Sequence, residues 1–243
     1  KIKMAWHIKW ENIRHRKGAQ DKKRGKIFKK IIKEITISAR LGGGEISSNP
    51  RLRKAVFNAK SNNLPADKIQ RAIKKGTGEL EGVLYEEVTY EGYGPGGVAI
   101  MMDIITDNKN RSVAEIRHIL SAHGGNLGEN GSVSWMFDKR GLIILASTLD
   151  DENIVLEAII DAGAEDFQLS EDIYLISTGK DNLMEVRDYL EDLGYDVKSA
   201  EIDMVPKVTQ KCNEKESDLN LKLLDALEDN DDVNKLYTNF ELS

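Results

Sequence analysis

Residues 142–203 read "LIILASTLDDENIVLEAIIDAGAEDFQLSEDIYLISTGKDNLMEVRDYLEDLGYDVKSAEID", and the order of elements in this stretch decides the fold. Leu142–Ala146 is a short apolar run of strand type, and 151–162 carries a helical apolar spacing that stops at Gly163. Strands at 166–169 and 173–177 flank a turn at Glu171-Asp172. A helix over 181–193 ends at Gly194, and a strand follows at Asp196–Asp203. The order is βαββαβ, that of a ferredoxin-like split βαβ unit, and it is complete in itself.

The segments on either side are incomplete alone. Upstream, strands at Val83–Glu91 and Val98–Thr106 enclose the glycine run of "EGYGPGGVAI" (91–100). A helix from Ser112 to His123 is expected to open with Ser112-x-x-Glu115 as a capping box and to close at Gly124. A strand at Val133–Phe137 and a turn at "DKRG" follow. Downstream come a helix over 217–229 and a strand at Val233–Phe240. Joining the two flanks gives one discontinuous α+β domain that carries the ferredoxin-like unit as an insertion.

The first 80 residues read as helices. In 21–41, Ile27, Phe28, Ile31, Ile32, Ile35 and Ala39 fall on one arc, and "LGGG" ends the pattern. Asn49-Pro50 is a cap residue followed by a first-turn proline, with Leu52, Ala55, Val56 and Ala59 as the buried stripe behind it. A third helix starts near Pro65, buries Ile69, Ala72 and Ile73, and ends at Gly76. The expected fold class is therefore α+β multidomain: an N-terminal helical bundle, then a discontinuous α+β domain with an inserted ferredoxin-like βαββαβ domain. The expected domains are 1–80, basic and helical; 81–137 with 204–243; and 138–203.

The chain has 243 residues, a net charge of −6 and one cysteine, Cys212. A single cysteine excludes an intrachain disulfide and a thiolate metal cluster, and fits the reducing cytoplasm. No stretch approaches the roughly 18 apolar residues of a membrane span, and the start has no apolar core of a secretory signal, so no membrane partner is expected. The modest net charge conceals a division. Residues 1–80 hold 22 Lys+Arg against 6 Asp+Glu, a net +16, and residues 81–243 hold 13 against 35, a net −22. A basic end of this size points to a polyanion partner, and the acidic remainder to a basic protein partner.

Gly92, Gly94 and Gly97 match G-x-G-x-x-G, the spacing of nucleotide-binding loops. A dinucleotide fold needs a helix after the glycines, and "VAIMMDII" is strand-like instead. Pro95 also lacks the N–H a phosphate would use. A kinase lid does lie between strands, but "VAIM" lacks the lysine of V-A-I-K and no H-R-D catalytic loop exists. No P-loop, H-E-x-x-H or C-x-x-C occurs, and His118 and His123 point in different directions around one helix. The expectation is a protein without catalytic residues, cofactor or metal.

The strongest feature is "HIKWENIRHRKGAQDKKRGKIFKKIIKEI" (7–35). On a helical wheel Lys22, Lys26, Lys29, Lys30, Lys33 and Arg40 fall within about 100° of arc, opposite the apolar arc, and form a cationic row of roughly 20 Å or more. Parallel ammonium and guanidinium groups suit a phosphate backbone, where each contact releases counterion. Lys9, Arg14, Arg16, Lys17, Lys23 and Arg24 extend the charge, and Trp10 and His15 are interleaved in positions to stack on bases. These fourteen residues are the candidate nucleic-acid site. Nothing in them separates DNA from RNA.

Taken together, "KWENIRHRKGAQDKKRGKIFKKIIKEI", "ARLGGG", "NPRLRKAV", "RAIKKGTGE", "YEGYGPGGVAI", "TDNKNRSVAEIRH", "HGGNLGENGSV" and "LYTNFEL" resemble the YebC/PmpR family over nearly the whole chain and in the right order. The start departs from the family's Met-Ala-Gly-His-Ser-Lys-Trp, with Trp6 and Ile8 where Gly and Ser are usual. The resemblance implies a three-domain cytoplasmic fold and no known catalytic residues. It also implies one of two roles: a DNA-binding transcriptional regulator, or a translational activator acting with RNA or the ribosome. A monomer is expected.

Overall fold

The structure is a computed structural model that describes residues 20–146, 152–170 and 173–241. The chain divides into two compact units. One holds the described residues up to Val133 together with Asn213–Leu236, and the other holds Ser134–Cys212 and the residues from Tyr237 on.

The first unit begins with three helices: α1 (Gln20–Gly42), α2 (Pro50–Ser61) and α3 (Ala66–Gly76). Their apolar stripes meet in one core, built on Ile31, Ile35, Leu52, Val56, Ile69 and Ile73. Asn49 joins α1 to α2. Its Oδ1 accepts from Leu52 N at 3.0 Å, and its Nδ2 donates to Ser38 O at 2.9 Å and Gly43 O at 2.8 Å. One side chain thus caps the start of α2 and satisfies carbonyls at the end of α1. At the end of α3, Gly76 lies so close to α1 that a Cβ there would meet Thr36 O at 2.4 Å.

A four-stranded sheet in the order β3-β1-β2-β9 follows, with β1 at Glu86–Tyr93 antiparallel to both β2 at Ala99–Thr106 and β3 at Asn126–Leu127, and with β9 at Val233–Thr238, whose residues up to Leu236 belong to this unit. β2 is buried along almost its whole length, from Ala99 to Thr106. The glycine run forms the expected strand–turn–strand. Pro95–Gly97 make a single 3₁₀ turn, and Gly96 and Gly97 adopt φ of 71° and 76°, a region that favours glycine. Two helices complete the unit, α4 (Lys109–Ala122) and α7 (Glu214–Glu228). The turn docks on α7, where Asn220 Nδ2 donates to Pro95 O at 2.9 Å.

The start of α4 differs from the expected capping box. The cap is Asn108, whose side chain accepts from Arg111 N at 3.1 Å. Ser112 lies one turn inside the helix, fully buried, with its hydroxyl on other partners. A capping box does exist at α7, between Asn213 and Glu216.

The second unit contains β4 (Phe137–Ala146), α5 (Glu152–Asp161), β5 (Asp166–Ser170), β6 (Ile173–Gly179), α6 (Leu183–Asp192) and β7 (Val197–Pro206). Its sheet order is β5-β6-β4-β7 with every neighbour antiparallel, the ferredoxin-like arrangement. Ile143, Leu145, Tyr174 and Ile176 face Val155, Ile159, Val186 and Leu190 of the helices. The expected turn at "DKRG" is instead the first half of β4. Arg140 pairs with Gly179 on one side and Asp203 on the other, so two ladders hold a polar segment extended despite its turn-like composition. Residues 134–136, expected as strand, form a 3₁₀ turn. A short parallel pair, β8 (Gln210–Lys211) with β10 (Phe240–Glu241), completes this unit.

Candidate nucleic-acid interface

The cationic row of α1 meets a segment roughly two hundred residues away in the sequence. α7 ends at Glu228 with no basic residue in its last turn, which leaves its final carbonyls without their own counter-charge. α1 supplies it. Lys26 Nζ donates to Asp229 O at 3.1 Å and Lys30 Nζ to Glu228 O at 2.5 Å. Lys29 pairs with Asp231 Oδ2 at 3.0 Å. Lys33 reaches Asp231 O at 2.9 Å and Asp232 Oδ1 at 2.5 Å, and its ammonium stands 5.7 Å from the centre of the Tyr85 ring. Arg40 donates to Tyr85 O at 2.5 Å. The acidic turn 229–232 therefore lies along the row.

Asp232 is the hub of this contact, with only 4% of its side chain exposed. Besides Lys33, it accepts from Arg111 at 2.8 Å and from the Ser112 hydroxyl at 2.6 Å, with Thr106 Oγ1 at 3.2 Å. Burial pushes its carboxyl up, but the donors of Arg111, Lys33 and Ser112 outweigh burial and bring it down to about 2. In return the Asp232 carboxylate foremost, with Asp107, holds the Arg111 guanidinium above its ordinary value against burial. Burial raises the Tyr85 hydroxyl nearby. An open groove of about 670 Å³ runs beside the hub, lined by cations such as Lys26, Lys29 and Arg111 and by carboxylates such as Asp107, Glu115 and Asp229. Both signs face it, so it is not an anion pocket. A second tie crosses at Arg51, which pairs with Glu34 at 2.7 Å and also with Glu87. Its guanidinium is raised by Glu87 foremost, against burial, with help from Glu34.

Of the expected site, Lys9, Trp10, Arg14, His15, Arg16 and Lys17 lie outside the described residues. Lys22, Lys23 and Arg24 stand on the first turns of α1. Lys26, Lys29, Lys30, Lys33 and Arg40 are brought together as one row, and each has the intramolecular partner given above. A wheel separates the bundle side of α1 from the other side. It carries no information about a later segment that covers that other side.

The outward faces of α2 and α3 were not singled out from the sequence. They carry Arg53, Lys54 and Lys60, then Lys68, Arg71 and Lys74, all exposed. Lys60, Lys68, Arg71 and Lys74 form no ion pair with any described residue. Among them stands Phe57, 69% exposed. Its signal was available, because Leu52, Ala55, Val56 and Ala59 define the buried side of α2 and Phe57 falls on the opposite side of that wheel. Among the described residues no helix is long and apolar enough to cross a membrane, and no group of three or more His, Cys, Asp or Glu could hold a metal ion.

Comparison with known proteins places these elements in context. Residues 8–79 match the family model described as the TACO1/YebC protein N-terminal domain, and residues 85–240 match the TACO1/YebC second and third domain. A protein of Geotalea uraniireducens is 52% identical over 240 residues, covering 99% of this chain and 97% of its own length, and is named "probable transcriptional regulatory protein". A protein of Persephonella marina with the same name is 53% identical over 242 residues, covering 99% and 97%. Among solved structures, a conserved hypothetical protein from Aquifex aeolicus superposes with a TM-score of 0.81 at 46% identity, covering 92% of each chain.

Proposed function

This chain belongs to the TACO1/YebC family, and we propose that it is a non-enzymatic regulator of gene expression that binds nucleic acid through its N-terminal helical domain. The leading form of the proposal is a DNA-binding transcriptional regulator acting in the cytoplasm, in line with the names of its relatives. One observation carries it: residues 1–80 hold a net +16, and exposed cations without ion pairs remain on α2 and α3 after the α1 row has taken its intramolecular partners. Such cations contact phosphates and release counterion without regard to sequence. The domain is proposed to act as a monomer, with the acidic remainder of the chain directed away from the polyanion and toward a basic protein. A second reading, a translational activator on RNA or the ribosome, is favoured by Phe57, since an exposed aromatic side chain stacks on unpaired bases.

The test is fluorescence anisotropy of the full chain with labelled duplex DNA and single-stranded RNA at several salt concentrations. Binding should weaken linearly in log–log form, with a slope of about −0.9 per duplex phosphate contact or about −0.7 per single-strand contact. Replacing Lys60, Lys68, Arg71 and Lys74 with Gln should flatten that slope by the contacts removed. Absence of binding to either probe at low salt overturns the proposal.

A further inference from the structure

We propose that the outer face of α2 is a base-stacking site for single-stranded nucleic acid, with Phe57 as the platform and Arg53, Lys54 and Lys60 around it as the phosphate contacts. The inference rests on the nucleic-acid reading above and specifies the form of the ligand.

Three observations converge on this face. First, the bundle makes no use of Phe57. The core side of α2 is complete with Leu52, Ala55, Val56 and Ala59, and the Phe57 ring is directed away from it. Second, the positions that neighbour Phe57 on a helix surface are four and three before it and three and four after it, and these are Arg53, Lys54, Lys60 and Ser61. α2 contains no acidic residue, and Arg53 is steadied by a 3.0 Å hydrogen bond to Ser47 O. Third, the spacing suits the chemistry. Side chains three or four apart stand roughly 5–6 Å from each other at Cβ, so flexible cations reach the phosphates that flank a base resting on the ring.

The charge and the single ring select the ligand. A duplex offers phosphates but hides the faces of its bases, so it would leave Phe57 without a partner. A single strand, as RNA or as locally melted DNA, offers both. A basic protein would be repelled by the charge of this face, and a neutral one would offer it no anion. An anionic membrane surface matches the charge, but the face carries one apolar side chain among Arg53, Lys54, Asn58, Lys60 and Ser61, not the apolar stripe of an interfacial helix.

The experiment compares the full chain with Phe57→Ala and Phe57→Trp, using a labelled twelve-nucleotide oligo-U, a twelve-nucleotide oligo-dT, a twelve-base-pair duplex and vesicles containing anionic phosphatidylglycerol. Phe57→Ala should weaken single-strand binding by about 5-fold or more and duplex binding by less than about 2-fold, while Phe57→Trp restores the single-strand affinity. Because Phe57 is exposed, its removal should leave the thermal unfolding midpoint in place, which keeps the comparison interpretable. A Phe57 effect confined to oligo-U assigns the ligand to RNA, one confined to oligo-dT assigns it to melted DNA, and either supports the site. Binding by the native protein with no Phe57 effect, equal losses for single strand and duplex, or a Phe57 effect seen only with vesicles overturns this inference and leaves the broader reading standing. No binding of the native protein to any nucleic acid overturns both.

Discussion

Replacing Asp232 with Asn is the perturbation whose size can be worked out most fully. The amide keeps the shape but loses the charge that Lys33, Arg111 and Ser112 surround at 2.5, 2.8 and 2.6 Å. The folded carboxyl titrates at about 2 against an ordinary 3.8. A depressed folded value means the charged form is favoured by folding, so its stabilisation is full above the unfolded value and is lost as pH falls through the folded one. At 1.36 kcal/mol per unit, the difference corresponds to about 2.4 kcal/mol at neutral pH. Leaving Lys33 and the turn without their counter-charge adds to this, and the broken buried pair should cost about 3 kcal/mol in all. The assay is urea denaturation followed by far-UV circular dichroism, which is dominated by the unit that holds α1 to α4 and α7. The difference between native and variant should be constant from pH 7 to pH 5 and smaller by about 1 kcal/mol at pH 3, because linkage removes that much of the carboxylate's contribution there. A difference below about 0.5 kcal/mol at pH 7, or one that does not shrink toward pH 3, would refute the view that a buried, charged Asp232 holds α1 against the sheet.

Three further outcomes are expected. Lys33→Gln should destabilise by about 3 kcal/mol, whereas Lys26→Gln with Lys29→Gln, whose ion pairs are solvent-exposed, should cost under about 1 kcal/mol each; chemical denaturation separates the two cases. Gly94→Ala should be worse than Gly97→Ala in thermal unfolding. A Cβ at Gly94 would sit 2.2 Å from Asn220 Oδ1, on a side chain fixed by two hydrogen bonds, while Gly97 faces open space and suffers only its left-handed φ, about 1 kcal/mol. Asn108→Ala should cost about 1 kcal/mol as a lost helix cap and Glu115→Gln under about 0.5 kcal/mol; the reverse ranking would restore the capping box first expected at Ser112.

The parts of the fold that were legible in the sequence are those whose cause is local. The three N-terminal helices declare themselves through 3.6-residue spacing and through Asn49-Pro50, and the βαββαβ order follows from alternating periods with Gly163 and Gly194 as stops. The misreadings occur where a distant partner overrides local composition. "DKRG" has the residues of a turn, yet ladders to β6 and β7 keep it extended. Ser112 has the chemistry of a cap, yet Asp232, 120 residues later, takes its hydroxyl. The candidate site follows the same rule. Charge and face could be read from α1 alone, but the partner of that face is the turn after α7.

That partner changes how the +16 of the first 80 residues should be weighed. Lys33 could reach a phosphate only by leaving the buried carboxylate of Asp232 and the carbonyl of Asp231 in the turn after α7, and both would then lose their donor. Lys26 and Lys29 face a lower barrier, since the side chains of their partners Asp229 and Asp231 are 66% and 41% exposed, and exchanging these ion pairs for another anion costs little beyond the Lys26 bond to Asp229 O. The row is therefore graded along α1, structural at its Lys33 end and exchangeable at its Lys26 end. A polyanion that approaches the helical domain meets its least committed charge on α2 and α3, then at the Lys26 end of the row, and it reaches Lys33 only by opening the contact between α1 and the sheet. Under this gradient, tightening the Asp232 hub should leave nucleic-acid affinity intact, and loosening it should expose additional cations and raise the affinity while it lowers the stability.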